Sequence, residues 1–283
     1  MNITRHSLST QNGAVVLQTY APAQPPAGIV IVPSAMGVAQ SYYARFAQWL
    51  AGQGYLVVTF DYRGVGLSAP PSLRDFKADI FDWARDCAAV IDFATQQLPG
   101  APLYWLGHSL GGQLLGLIAN RDRIRRVVTV AAGSGYWMEN SWPLRGIVWW
   151  LWFVAVPLAT RIAGYFPGKR LRKVGDLPRG VIEQWRRWCL NSEYVVGAEG
   201  EAVRAEYSSV QAPMLAISFT DDELMTDQGI RSLHRLYTQA PVAFRRIAPG
   251  DVGVRQIGHF GFFRPQFEQS LWAMVPRWLQ EGR

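Results

Sequence analysis

The stretch that most constrains the fold covers residues 103–112 and reads LYWLGHSLGG. An apolar run leads into the pattern G-x-S-x-G, centred on Ser109, and an apolar helical pattern follows it over residues 113–119. A serine in this pattern lies on a sharp turn, because the glycines let neighbouring backbone pass without a side chain in the way. The sequence therefore predicts a strand–turn–helix unit that presents the Ser109 hydroxyl above the edge of a sheet.

The other apolar segments alternate between strand and helix patterns. Buried-strand patterns cover 28–32, 56–60 and 127–132, and further strand patterns cover 214–219 and 242–247. Helical patterns cover 42–51, 79–98, 225–237 and 265–279. Asn12-Gly13 joins two further strand patterns into an antiparallel hairpin at the start of the chain. Buried strands alternating with helices indicate an α/β fold with a mostly parallel central sheet flanked by helices.

This alternation stops between residues 133 and 210, where seven of the twelve tryptophans lie. We predict a helical cap insertion at 134–209 on a core formed by 1–133 and 210–283. Residues 147–159 are too short a run to span a bilayer and too apolar to lie exposed. Trp142, Trp149 and Trp150 are therefore expected to line an apolar pocket near Ser109. Each of them could instead simply pack between the cap and the core.

Charge and cysteine content suggest which partners and compartment to expect. The net charge is +7, but the basic residues are scattered and no nucleic-acid-binding motif is present, so no nucleic-acid partner is expected. Weak contact with a membrane surface stays open. The basic residues that would meet anionic lipid there are Arg145, Arg161, Lys169, Arg170, Arg172 and Lys173. The start of the chain lacks a signal-peptide pattern, and two cysteines favour reduced thiols, so we expect a cytoplasmic protein without a transmembrane segment.

Several motifs together make the chain resemble the α/β-hydrolases, and most closely their serine-hydrolase and monoacylglycerol-lipase-like (esterase/lipase) members. GHSLGG at 107–112 matches the nucleophile segment of that family, and DYRGVGLS at 61–68 resembles a loop found after its fourth strand. The family orders its catalytic residues as Ser, acid, His. The resemblance implies an α/β-hydrolase fold with its cap inserted after the sixth strand.

The resemblance assigns a role to each candidate catalytic residue. Ser109 would be the nucleophile and His259 the general base, with His108 as the alternative imidazole. The acid would come from Asp221-Asp222, which follow a strand, and the family pattern favours Asp222. Asp221 would then cap the following helix.

The oxyanion hole would use the backbone N–H groups of Leu110 and Met36. Relatives commonly carry His-Gly-x-Gly in the loop that contains Met36, whereas this chain has Ser34-Ala35-Met36-Gly37. A main-chain donor does not depend on the missing side chains. No phosphate-binding loop, dinucleotide motif or Cys/His metal cluster is visible, so no cofactor and no metal are expected.

The sequence thus predicts a serine hydrolase that cleaves a carboxylic ester through an acyl-enzyme. Lipid-like or aryl acyl esters are favoured as the small-molecule substrate, because the insertion is so aromatic. Two alternatives stay open. An acyltransferase would use the same residues with an alcohol or thiol in place of water, and a non-catalytic ligand-binding protein could share the fold.

Overall fold

The computed structural model describes residues 1–170 and 175–281, and Arg172 and Lys173 lie outside this part. Its strands are β1 Asn2–Thr10, β2 Gly13–Ala21, β3 Ile29–Val32, β4 Leu56–Phe60, β5 Leu103–His108, β6 Ile124–Val130, β7 Tyr165–Phe166, β8 Leu177–Pro178, β9 Met214–Phe219 and β10 Val242–Ile247. Eight strands form one sheet in the order β1-β2-β4-β3-β5-β6-β9-β10, and β7 pairs with β8 separately. The hairpin β1–β2 is antiparallel, as is the β2–β4 pairing, and the other pairings in the large sheet are parallel.

Helices cover both faces of the sheet. The α-helices are α1 Ala44–Gly52, α2 Ile80–Gln97, α3 Leu110–Gln113, α4 Leu144–Trp150, α5 Val156–Ala163, α6 Arg179–Leu190, α7 Tyr194–Glu199, α8 Glu201–Ser208, α9 Asp227–His234, α10 Gly258–Gly261 and α11 Met274–Gln280. Turns of π-helix occupy Leu151–Ala155 and Glu268–Trp272, and short 3₁₀ turns occupy Gln40–Tyr43, Gly66–Ser68, Leu114–Leu117, Arg121–Arg123, Trp137–Glu139, Pro249–Val252 and Pro265–Phe267.

The central strands β3, β4 and β5 are buried along their whole length because both faces of the sheet are covered. On β5, Leu103 and Trp105 pack into the core beneath α2, whereas Tyr104 and Leu106 pack into the core on the α1 and α11 side. The order β4-β3-β5 reverses the direction of winding between β3 and β5. Ligands of open α/β sheets bind at such a reversal, beyond the carboxyl ends of the strands. Met36 follows the end of β3, and Ser109 follows the end of β5.

The predicted sheet is confirmed, with both strands after the insertion found at their predicted bounds. The helix expected over 113–119 is displaced towards Ser109 and is only partly α-helical: α3 covers Leu110–Gln113, and a 3₁₀ turn covers Leu114–Leu117. Packing explains the difference. A Cβ atom on Gly116 would lie 2.4 Å from the ring of Tyr207, so the chain that follows the turn at Ser109 passes directly beneath α8.

The insertion at 134–209 carries α4 to α8 and the small β7–β8 pair. Its buried side chains, among them Trp152, Val181 and Trp188, belong to the same apolar cluster as α2 and β5. Gln113 ties it to the sheet, since the Gln113 side-chain oxygen accepts a 2.8 Å hydrogen bond from the Tyr194 hydroxyl. The division between core and cap at 133/134 and 209/210 stays a prediction, because the two share one packed interior.

Helices α4 and α5 and the π turn between them form one continuous helix, Leu144–Ala163, here called the cap helix. Within the described residues it is the one helix long and apolar enough, by length and composition alone, to cross a membrane. The apolar run 147–159 noted in the sequence is the central part of this longer helix, which has 20 residues. It continues through Pro157, which follows the π turn and needs no N–H donor there.

Candidate active site

Ser109 occupies a strained turn between β5 and α3. Its backbone has φ 50° and ψ −114°, a conformation that L-residues rarely adopt. The flanking glycines are required by contact distance. A Cβ atom on Gly107 would lie 2.4 Å from the Gly111 carbonyl oxygen, and one on Gly111 would lie 2.4 Å from the Pro33 carbonyl oxygen. The nucleophile-elbow geometry predicted from G-x-S-x-G is therefore present.

Two backbone donors lie beside this turn. The Ser109 N–H is already used, since it donates to the Val130 carbonyl at 2.9 Å. The N–H groups of Met36 and Leu110 donate to no protein acceptor within residues 1–170 and 175–281, although both residues are buried. Buried N–H groups are rarely left unpaired. These two N–H groups therefore have no acceptor among the described residues, and their role as an oxyanion hole stays a prediction.

Asp222 and His259 form a buried pair beyond the carboxyl ends of β9 and β10. His259 Nδ1 lies 3.0 Å and 3.1 Å from the two carboxylate oxygens of Asp222, whose side chain is fully buried. The Leu224 and Met225 N–H groups also donate to Asp222, at 2.8 Å and 2.9 Å. Held in this way, the Asp222 carboxylate accepts a hydrogen bond from Nδ1–H of His259. Nε2 of His259 is then the nitrogen that can accept a proton.

Asp221 has a different role from the one expected. The cap of α9 is Thr226, whose side chain accepts a hydrogen bond from Gly229, so the expectation that Asp221 caps this helix was wrong. Asp221 Oδ2 instead accepts from the Ile257 and Gly258 N–H groups at 2.8 Å and 3.1 Å. It therefore fixes the segment that carries His259.

Glu223 completes this arrangement, because its carboxylate accepts from the His259 N–H at 3.0 Å. Three consecutive acidic residues thus hold three consecutive residues of the histidine segment: Asp221 and Glu223 bind its backbone, and Asp222 binds its imidazole. The sequence analysis missed Glu223. The only signal was its position beside two aspartates, and the partner lies 36 residues away.

His108 joins the histidine segment to the loop that contains Met36. Burial and the nearby His259 lower the pKa of His108 well below its usual range, so its ring is neutral. Its Nε2 donates to the His259 carbonyl at 3.1 Å, and its Nδ1 accepts from the Tyr43 hydroxyl at 2.8 Å. That hydroxyl accepts in turn from the Ala35 N–H. His108 is a scaffold residue and does not contact Ser109 as an alternative base.

Ser109 and His259 line one cavity of about 260 Å³ beneath the cap helix. No hydrogen bond joins their side chains in the part of the chain described; in many unliganded enzymes such bonds tighten only when substrate binds. The cavity wall is mostly apolar. It includes Met36, Leu144, Ile147, Val148, Leu151, Trp152, Phe166, Ile182, Trp185, Leu224, Met225 and Phe260. No described residue of this wall carries a carboxylate.

The three tryptophans predicted to wall the pocket lie elsewhere, so that expectation was wrong. Trp142, Trp149 and Trp150 are 73%, 48% and 50% exposed, and none of them lines the cavity that contains Ser109. The tryptophans at the cavity are Trp152 and Trp185. Every residue from 147 to 156 is apolar. Periodicity in the sequence therefore does not reveal which side of the cap helix faces inward.

His234, on α9, is buried against the sheet. Its Nδ1 donates to the Ile230 carbonyl, and its Nε2 accepts from the Thr129 hydroxyl at 2.9 Å. Burial lowers the pKa of His234 to about 4. In the loop at 61–68, Arg63 forms buried ion pairs with Asp82 and Asp86 and so anchors this loop to α2. No group of three or more His, Cys, Asp or Glu side chains in the described ranges is placed to hold a metal ion.

Comparison with protein families agrees with this geometry. Residues 24–174, which include the elbow, match the family described as serine aminopeptidase, S33. The chain belongs to this family. Its members are α/β-hydrolases, and the sheet order and elbow found here fit that fold.

Two curated relatives are similar over part of the chain. A monoacylglycerol lipase from Mycolicibacterium smegmatis is 27% identical over 113 residues, which cover 40% of this chain and 40% of that protein. The monoglyceride lipase of Homo sapiens is 27% identical over 114 residues, which cover 40% of this chain and 37% of that protein. The chain thus matches about two fifths of the length of these curated relatives.

Solved structures are similar over nearly the whole chain. A soluble variant of monoglyceride lipase from Saccharomyces cerevisiae aligns with a TM-score of 0.70 at 15% identity, covering 99% of this chain and 94% of that one. A haloalkane dehalogenase from Bradyrhizobium elkani aligns with a TM-score of 0.65 at 14% identity, covering 98% of each chain. At such identities the likeness shows the fold alone, and the chemistry must be argued from the site.

Proposed function

We propose that this protein is a serine hydrolase that cleaves carboxylic esters of apolar acids through an acyl-enzyme. The observation that carries the proposal is the common cavity. The strained Ser109 and His259 line the same apolar space, and the buried Asp222 holds His259 from behind. The partial match to two monoglyceride lipases supports the same reading.

In the proposed mechanism the Ser109 hydroxyl attacks the ester carbonyl and passes its proton to His259 Nε2. The Met36 and Leu110 N–H groups donate to the oxyanion, which develops only as the carbonyl becomes tetrahedral. Asp222 holds the imidazole in the required tautomer and stabilises its protonated form. His259 then protonates the departing alcohol. Water attacks the acyl-enzyme by the same route, which releases the acid and restores the Ser109 hydroxyl.

The cavity wall favours an acyl ester over a peptide with a free amino terminus. A peptide ammonium group that enters an apolar cavity is costly unless a carboxylate pairs with it. Within residues 1–170 and 175–281 the wall offers no carboxylate, and its polar groups belong to Asn140, Ser109, His259, Trp185 and Cys189. An aliphatic or aryl acyl chain needs no polar partner there and gains free energy from burial.

Paired substitutions test the proposal. Ser109→Ala and His259→Ala are each expected to lower kcat for a short p-nitrophenyl ester by roughly 10⁴-fold or more, because the nucleophile and base act as a unit. Ser208→Ala and His6→Ala change the same residue types at positions distant from the cavity, and they should keep wild-type turnover. Substantial activity in a folded Ser109→Ala or His259→Ala variant, with an unchanged circular dichroism spectrum, would rule out this mechanism.

A further inference from the structure

The cap helix exposes an apolar stripe on its outer side. Leu158 and Ile162 are 55% and 75% exposed, and Ile147, Trp149, Trp150 and Phe153 are each more than 40% exposed. Soluble monomers rarely expose large apolar side chains in a contiguous patch, so such a patch usually marks an interaction site. The expectation that this run is too apolar to lie exposed was therefore wrong. Its exposed apolar side indicates that another molecule covers it.

The exposed positions lie on one side of the helix. They recur at helical spacing along the whole length, at 149/150, 153, 157/158 and 161/162, whereas Trp152, Val156 and Thr160 are almost fully buried on the other side. The buried side packs on the core and walls the Ser109 cavity. A membrane-spanning arrangement would strip these contacts away, since a spanning helix is surrounded on all sides. The outer stripe instead suits a helix that lies flat on an apolar surface.

The charge around the stripe distinguishes the possible partners. Between Glu139 and Asp176 the sequence contains no acidic residue and six basic ones. Of those within the described ranges, Arg161, Lys169 and Arg170 are exposed, whereas Arg145 donates to the Met138 and Asn140 carbonyls. A second copy of the chain would bring like charges together across a two-fold interface. A bilayer with anionic headgroups neutralises them while its acyl region takes up the apolar stripe.

We propose that the cap helix docks this protein on the surface of bilayers that contain anionic lipid. Trp150, Leu158 and Ile162 enter the acyl boundary, while Arg161, Lys169 and Arg170 meet the headgroups. Ile147 is half-exposed on the outside and also lines the Ser109 cavity, so the docked face adjoins the cavity mouth. Docking rests on the helix and its charges alone, and it holds whether or not the proposed ester hydrolysis is correct.

Co-sedimentation with lipid vesicles tests this proposal. Wild-type protein should bind phosphatidylcholine vesicles that contain about 30% phosphatidylserine, bind pure phosphatidylcholine more weakly, and lose affinity as salt rises from about 0.1 M to about 0.5 M. The triple variant Trp150→Ser/Leu158→Ser/Ile162→Ser should bind at least tenfold more weakly. Arg161→Gln/Lys169→Gln/Arg170→Gln should lose the preference for phosphatidylserine.

The matched control is Ile3→Ser/Leu67→Ser, which removes side chains of similar exposure away from the cap helix. It should bind vesicles like wild type, and all variants should keep wild-type melting temperatures and turnover of a water-soluble ester. Absence of wild-type binding, or equal loss in the control, overturns the proposal. So does a wild-type dimer in solution that the triple variant converts to monomer, because a second copy would then cover the stripe.

Discussion

At the scale of single residues, the unusual feature is that three consecutive carboxylates hold the histidine segment. Asp222 alone contacts the imidazole, whereas Asp221 and Glu223 accept from backbone N–H groups of residues 257–259. The three residues lie in turns and bends after β9, and their side chains reach different groups of the histidine segment. The three residues should therefore respond differently to loss of charge and to loss of an acceptor oxygen.

Asp222→Asn is expected to lower kcat by roughly 10³- to 10⁴-fold, because the amide favours the wrong imidazole tautomer. Asp221→Asn keeps an oxygen that can accept from Ile257 and Gly258, so its kcat should fall by less than about tenfold. Steady-state kinetics with a p-nitrophenyl ester, together with melting temperatures, give both effects. A larger loss in Asp221→Asn than in Asp222→Asn would show that Asp221 is the acid.

At the scale of elements, the positions of the strands could be predicted from the sequence, whereas the orientation of the cap helix could not. The strands at 214–219 and 242–247 are short and bounded by turns, and the elbow carries its own glycines, so local pattern was sufficient. The roles of Asp221 and His234 depended on partners far along the chain, Ile257 and Thr129, which local pattern does not contain. The sequence of the cap helix does not show which side faces the core, because the helix is apolar on every side over most of its length.

The inward side of the cap helix should set the preference for acyl chain length. For p-nitrophenyl esters, kcat/KM should rise from acetate towards octanoate by about fourfold per methylene, which corresponds to about 0.8 kcal/mol each, until the cavity is full. Leu151→Ala enlarges the cavity and should move the plateau to longer chains, whereas Trp150→Ala, next to it but outside the cavity, should not. A flat profile in wild type would remove the apolar acyl pocket.

At the scale of the whole molecule, two buried histidines make stability depend on pH. Burial lowers the pKa of His234 to about 4 and that of His108 well below its usual range, so both rings are neutral in the folded state. The unfolded chain takes up protons on these rings at higher pH than the folded protein does. The contribution of these two histidines to folding stability is therefore present at neutral pH and is lost as the pH drops below 6.5.

For His234 the loss should extend from pH 6.5 to about 4 and amount to roughly 3 kcal/mol, after which this residue contributes no further change. Urea unfolding at a series of pH values measures it. His234→Gln should reduce the difference in unfolding free energy between pH 7 and pH 5 relative to wild type, and His6→Gln, at a partly exposed histidine, should not. An unchanged pH dependence in His234→Gln would contradict the assignment of a buried neutral ring.

The central claim, that Ser109 is a nucleophile activated by His259, is tested most directly by reaction with a fluorophosphonate probe. The folded wild-type protein should form one adduct, and peptide mass spectrometry should locate it on Ser109. Ser109→Ala should form none, and His259→Ala should react at least about 10³-fold more slowly, because the serine then lacks its base. Folded wild-type protein that stays unlabelled, or that carries the adduct on a different serine, would contradict the account.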